Sequence, residues 1–372
     1  MISITKPSLF IQPGIVQRNI KRMLKKAKDT GAEIRPHFKT HQSLTIGRWF
    51  KKYGIKKVAV SSVEMAEYFA KDGWKDITIA FPFNPNEINK VNLLAEKNII
   101  NLTLLNTETI SYLNDHLKNT IGVFIEIDTG YIRSGISYHA YDYLQKMADL
   151  IQKSDKLILR GILSHAGQTY QAKSKKEILE IHQQNIQRMS GVKKTLKNLP
   201  GDFIISTGDT PSCSMAEHFE NIDEIRPGNF VFYDVQQAEL GSCKYEDIAV
   251  CMACPVVAKY KERNEIVIYG GAVHFSKEFI LKDNQKIYGH IVDLQNNGWK
   301  LTNEKGFLIK LSQEHGTISV SDSLFEKYQI GDFIGILPIH SCLTANLMGE
   351  YLDFQGNYYD HLSGAKRKGS TN

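Results

Sequence analysis

Lys39 stands between His37 and His41 in the stretch EIRPHFKTHQS, where an apolar, strand-like run ends. An amine at the end of a strand can form a Schiff base with a carbonyl cofactor such as pyridoxal phosphate. A solvated loop lysine is the competing reading, so the choice turns on partners elsewhere in the chain. A phosphate needs a cradle, and ISTGDTPS offers one. There Gly208 lets the backbone approach closely, and the amides of Asp209 and Thr210, with the Thr210 hydroxyl, can point at an anion. The stretch RPGNFVFYD supplies a neighbouring loop through Gly228 and Asn229, and carries Tyr233.

A ring cofactor also needs groups around its ring. EIDTGYIRSGI ends in Asp128, Gly130 and Arg133. A fixed arginine beside a pyridine nitrogen keeps that nitrogen unprotonated, because one cation opposes a second. SHAGQTY brings His165 and Tyr170 to the end of another strand-like run. Taken singly, each of these residues also fits a surface loop.

A different chemistry is written in LPIHSCLTANL. His340 and Cys342 are two apart, so on a strand their side chains share a face. Imidazole and thiolate together suit Zn²⁺, with water or substrate completing the shell, whereas a buried histidine beside a buried cysteine would do nothing. The CMAC stretch has a redox or zinc spacing, but it lies in an apolar strand-like run. Its Cys251 and Cys254 would face opposite sides there, so both are expected in the core. Glu314 and His315, in SQEHGT, fit either a turn or the rim of a site.

The elements that must position these groups alternate. GIVQRNIKRMLKKAKDTG has apolar residues at helical spacing, with Gly31 as a stop signal. Strand-like AEIRPHFK, KKVAVSS, DITIAFP, INLTLL, IGVFIEID, KLILRGILS, DFIISTG and EIRPGNFVFYD follow one another with helix-like segments between them. Apolar strands of this kind fit a parallel sheet buried on both faces. The series predicts an α/β fold, a (β/α)₈ TIM-like barrel followed by a mostly antiparallel β domain. No G-x-G-x-x-G follows the first strand, which counts against an open dinucleotide-binding sheet. From about residue 245 short strands separated by turn signals replace the helices. The expected domains are 8–240 for the barrel and 241–372 for the β domain, joined by residues 1–7.

The 372 residues carry a net charge of +6, 42% apolar and 23% charged residues. Basic and acidic residues are interleaved, and the compact basic cluster GAKRKGSTN reads as a solvated tail, so no nucleic-acid partner is expected. No apolar run approaches the length of a membrane span, and MISITKPSLFIQPGI lacks the pattern of a secretory signal. Five cysteines fit a reducing cytoplasm better than a disulfide framework.

Together, RPHFKTH, DTGYIRSGI, SHAGQTY, STGDTPS, RPGNFVFYD, EHG and HSC resemble the D-threonine aldolase and D-serine dehydratase family, pyridoxal-phosphate enzymes of the alanine-racemase fold type. The resemblance spans nearly the whole chain. It implies pyridoxal 5'-phosphate carried on Lys39, a divalent metal (Zn or Mn) held by His340 and Cys342, and a homodimer. It implies a lyase acting on small D-3-hydroxy amino acids; His41 and His165 are further candidate catalytic residues, either of which could be the base. Retro-aldol cleavage of D-threonine-like substrates comes first in this reading. Dehydration of D-serine or D-threonine is the alternative, with a racemase or a non-catalytic cofactor-binding protein behind it. The segment IYGGAVHFSKE departs from the family's aspartate-glycine-glycine pattern and leaves cleavage against dehydration open.

Overall fold

The computed structural model describes residues 4–302 and 304–367. Two compact units form: Lys21–Lys39 with Arg48–Gly228, and the residues up to Ile20 with Thr40–Gly47 and those from Asn229 on. Residues 8–20, 40–47 and 229–240, which the sequence reading places with the barrel, thus fall in the β unit. The reason is visible in the first strand, Ser8–Ile11, whose backbone pairs within the antiparallel sheet. Residues 1–3 of the expected join, and the basic tail from residue 368, lie outside the described residues.

The first-named unit is the expected barrel. Its strands run in the order Glu33–Ile34, Glu224–Ile225, Ile204–Thr207, Leu157–Ser164, Ile121–Asp128, Ile99–Leu104, Asp76–Pro82 and Lys57–Val60. Every pairing in that series is parallel. A parallel bridge between His37 and Ala59 closes the ring. The strand Ile121–Asp128 shows why the sequence pattern works: its residues are buried on both faces up to Ile127. The barrel strand Glu33–Ile34 is short because Pro36 has no N–H to donate, yet the Pro36 carbonyl still accepts from Ala59 N at 3.0 Å. EIRPGNFVFYD is not one strand. Only Glu224–Ile225 pairs, Pro227 and Gly228 stop it, and Asn229–Val231 forms a 3₁₀ turn.

A polar layer lies inside the barrel. Arg35 Nε donates to Glu224 at 2.8 Å, and its Nη1 donates to Asp76 at 2.6 Å. Ser206 Oγ donates to the other Glu224 oxygen at 2.6 Å. These buried charges are paired, which is the condition for burying them.

The second unit is an antiparallel sheet that curls onto itself. Val250–Tyr260 pairs with Phe333–Pro338, then follow Gly289–Gln295, Gly306–Leu311, His315–Val320 and Glu265–Tyr269, which returns to Val250–Tyr260. Cys251 and Cys254 are buried in the long strand, in the core where their spacing places them. DFIGILPIH departs from expectation, because its strand stops at Pro338 and a helix, Ser341–Met348, follows. No helix among the described residues is long and apolar enough to cross a membrane.

Candidate active site

Barrel strands deliver side chains to the face where their carboxyl ends emerge. Lys39 lies in the turn beyond the first strand, Arg133 in the loop after Ile121–Asp128, and His165 directly after Leu157–Ser164. Gly208 follows Ile204–Thr207 and Arg226 follows Glu224–Ile225. These residues line one cleft with His37, Ala80, Glu126 and Leu163. Lys39, Arg133, His165 and Gly208 are therefore brought together as their motifs imply.

The cleft is set up for an anion. Burial holds the His165 imidazole neutral, with its pKa near 3, and the nearby charge of Lys39 adds to the effect. His37 is pushed down well below the ordinary histidine value by the same two causes. The cationic groups are then Lys39, Arg133 and Arg226, opposite one carboxylate, Glu126. Arg226 is buried and anchored from two sides: it donates to Ser164 O at 2.8 Å and to Ser206 Oγ. Burial lowers its pKa to about 10, with Glu224 opposing the fall, so it stays charged at neutral pH. Arg133 is exposed, over the Tyr131 ring at 5.3 Å. Asp128 shapes its loop, accepting from Gly130 N at 2.8 Å and Ile132 N at 3.1 Å while Ile132 takes a left-handed φ of 56°.

The residues fit a bound phosphate ester. Gly208 approaches the Arg226 backbone so closely that a Cβ would lie 2.7 Å from it. The hydroxyls of Thr210 and Ser212 are buried without a hydrogen-bond partner, a cost that an incoming anion would relieve. The Asp209 side chain is structural: it accepts from Ser212 N at 2.7 Å and Thr169 Oγ1 at 2.9 Å, capping the helix Thr210–Met215. Burial raises its pKa to about 6, against those hydrogen bonds. Tyr170 meets the loop through its hydroxyl, which accepts from Thr210 N at 3.2 Å.

The β unit holds a second cluster. His340 caps the helix Ser341–Met348 and Cys342 is in its first turn, so the pair meets at a strand-to-helix turn and not along a strand. Burial opposes a charged His340, but the Cys342 thiolate and Asp234 outweigh it and hold the imidazole well above its usual pKa. Burial likewise raises the Cys342 thiol, and the His340 charge with bonds from His340 and Thr40 more than reverses it. Cys342 Sγ is 3.2 Å from Thr40 Oγ1. Asn229 Oδ1 is buried nearby in the chain of contacts without a hydrogen-bond partner, while Asn229 Nδ2 donates to Asp234 at 2.7 Å and to Cys342 Sγ at 3.5 Å. A cysteine sulfur whose pKa is lowered, an imidazole and a spare buried oxygen suit a borderline-soft divalent cation. Among the described residues no group of three or more His, Cys, Asp or Glu side chains is placed to enclose a metal.

Three expected residues take other places. The Asn229 side chain serves this second cluster instead of the phosphate loop, because Asp234 and Ser341 bind it. Tyr233 is buried in the same unit with a left-handed φ of 50°. His41 is fully buried: its Nδ1 accepts from Ser43 N at 3.0 Å and its carbonyl from the Tyr351 hydroxyl at 2.6 Å, a structural position and not a lining one. Gly228 simply ends the barrel unit. Conversely, the sequence reading passed over Arg226, Glu126 and His37. The tetrapeptide EIRP occurs twice, at 33–36 and 224–227, and its copies pair in register, Glu33 with Glu224 and Ile34 with Ile225. That repeat is the signal that could have singled out Arg226.

A family model described as "Alanine racemase, N-terminal domain" matches residues 11–235, and "Putative serine dehydratase domain" matches residues 249–353. The D-serine dehydratase of Dictyostelium discoideum is 30% identical, covering 94% of this chain and 93% of that protein. The D-threo-3-hydroxyaspartate dehydratase of Delftia sp. (strain HT23) is 25% identical over 92% of each chain. Its solved structure superposes with a TM-score of 0.88 at 24% identity, covering 97% of this chain and 98% of that one. D-threonine aldolase from Filomicrobium marinum gives a TM-score of 0.82 at 18% identity, covering 98% and 99%, a likeness of fold.

Proposed function

Since the chain belongs to the family that joins an alanine racemase N-terminal domain to a putative serine dehydratase domain, we propose that it is a pyridoxal-phosphate- and divalent-metal-dependent dehydratase of D-3-hydroxy amino acids, D-serine first among them. The observation that carries the choice is the full-length likeness to a D-serine dehydratase. It reverses the order of the sequence reading, in which aldol cleavage came before dehydration.

When bound, pyridoxal phosphate supplies an electron sink at the substrate Cα, and a divalent metal supplies a Lewis acid for the β-hydroxyl. Lys39 Nζ would hold the cofactor through its carbonyl carbon and, once released, would take the Cα proton. Thr210 and Ser212 offer their buried hydroxyls to the phosphate. Arg226, anchored by Ser164 and Ser206, is the permanent buried cation of the cleft, and it would keep a ring nitrogen bound beside it unprotonated. That role had been expected of Arg133. Its exposed, loop-borne guanidinium is better suited to meet a carboxylate arriving from solvent. His340 and Cys342 would hold the metal. The β-hydroxyl would take up a proton and leave as water, and a second water would hydrolyse the resulting imine to a 2-oxo acid and ammonia.

The five cysteines are free, which fits a reducing cytoplasm, and the resemblance supports a homodimer. The deciding experiment supplies D-serine and D-threonine to the purified protein, with the L-enantiomers as controls. Pyruvate from D-serine with no glycine supports dehydration. Glycine plus an aldehyde would transfer the protein to the aldolases, and colour without any product would make it a cofactor-binding protein.

A further inference from the structure

We propose that Asp234 is a positioning residue for the metal, holding His340 so that Nδ1 carries the proton and Nε2 presents its lone pair to the cation. This rests on the metal reading above. Asp234 is fully buried, and its two oxygens do different work. Oδ1 accepts from Gln237 N at 2.9 Å and caps the helix Val235–Glu239. Oδ2 turns to the other cluster: it accepts from Asn229 Nδ2 at 2.7 Å and Ser341 N at 3.0 Å, with Ser341 Oγ at 3.3 Å. His340 Nδ1 lies 3.6 Å from the same oxygen.

A helix cap needs one oxygen. The second oxygen gathers the residues on either side of Cys342 in space, Asn229 from one segment and His340 and Ser341 from another. Two lone pairs facing each other repel, so the nitrogen beside a carboxylate is the protonated one. Nε2 is left as the coordinating atom. A carboxylate behind the imidazole also makes it a stronger donor, and losing such a partner typically weakens metal affinity about 10- to 100-fold.

The test measures zinc affinity by chelator competition in the pyridoxal-phosphate-loaded wild type and in Asp234→Asn. An affinity loss of about 10- to 100-fold with unchanged visible colour is expected. Asp234→Asn binding zinc as tightly as wild type would reduce Asp234 to a helix cap and overturn the proposal. Should the variant fail to fold, nitrogen-15 histidine labelling of the zinc-loaded wild type decides. His340 coordinating through Nε2 with a slowly exchanging Nδ1–H is the expected result, and coordination through Nδ1 refutes it. A wild type that binds no zinc at all instead removes the metal reading on which the proposal stands.

Discussion

His165 Nδ1 donates to the Gly208 carbonyl at 2.5 Å. A carbonyl only accepts, so Nδ1 holds the proton and Nε2 keeps its lone pair in a neutral ring. The contact also ties one loop of the cleft to the loop that begins the phosphate cradle.

Two variants separate those duties. The amide of His165→Asn can still donate toward Gly208 but offers no imidazole lone pair. It should keep the cofactor's colour and lose about 10²- to 10⁴-fold in kcat, the usual worth of a positioned base. His165→Ala should lose colour stability as well. Full activity in the asparagine variant would confine His165 to the loop contact.

Lys39→Ala should abolish the visible absorbance that follows addition of pyridoxal phosphate, and borohydride should leave no adduct at that position. Mass spectrometry of the digested, reduced protein checks this. An adduct on another lysine would move the covalent site.

Removing the metal should stop turnover and spare the colour, because cofactor attachment to Lys39 needs no cation. Cys342→Ala should behave alike. In Cys342→Asp a harder oxygen replaces sulfur, so activity should return with Mn²⁺ or Mg²⁺ in preference to Zn²⁺. A melting temperature that collapses on chelation would point to a structural metal instead.

Acid should destabilise the protein partly through His41. Burial lowers its pKa to about 3, with the charge of Asp360 opposing that fall. Below its unfolded value near 6.5 the unfolded chain takes up a proton that the folded chain refuses. Stability therefore falls as pH drops from about 6.5 toward 3, by about 1.4 kcal/mol per pH unit once well inside that window. Asp209 works the other way: its folded pKa is raised to about 6, so between the unfolded value and 6 the folded state binds the extra proton. His165 and His37 act with His41. Melting temperatures from pH 7 to 4.5 should fall less steeply for His41→Gln than for wild type, and parallel curves would exclude His41 as a contributor.

The barrel was legible because buried parallel strands leave unbroken apolar runs, as in Ile121–Asp128. The place of Lys39 beyond a strand end was legible, and it lines the cleft there. The His340 and Cys342 pair was found by spacing for a reason that did not survive, since Pro338 ends the strand before either residue. A helix cap and the first turn after it bring the two side chains together just as well. Arg226 and Glu126 escaped because a charge inside an apolar strand run reads as an interruption. Their partners, Ser164, Ser206 and Ser134, come from elsewhere in the chain. The sequence could not place His41, whose burial and contacts with Ser43 and Tyr351 depend on residues near and far in the chain.

The strand Ser8–Ile11 pairs with Val250–Tyr260, Ile11 opposite Val250, and touches Leu352 through Phe10. On the ribosome it emerges long before either neighbour exists. At roughly 5–20 residues per second, its hydrogen-bonding edge waits on the order of ten seconds or more for a mate. Throughout that interval an apolar segment of β-forming residues is open to other nascent chains. Slower translation lengthens the exposure, and a chaperone that grips the emerging strand would shorten its consequences. The strand is made long before its partners can place it.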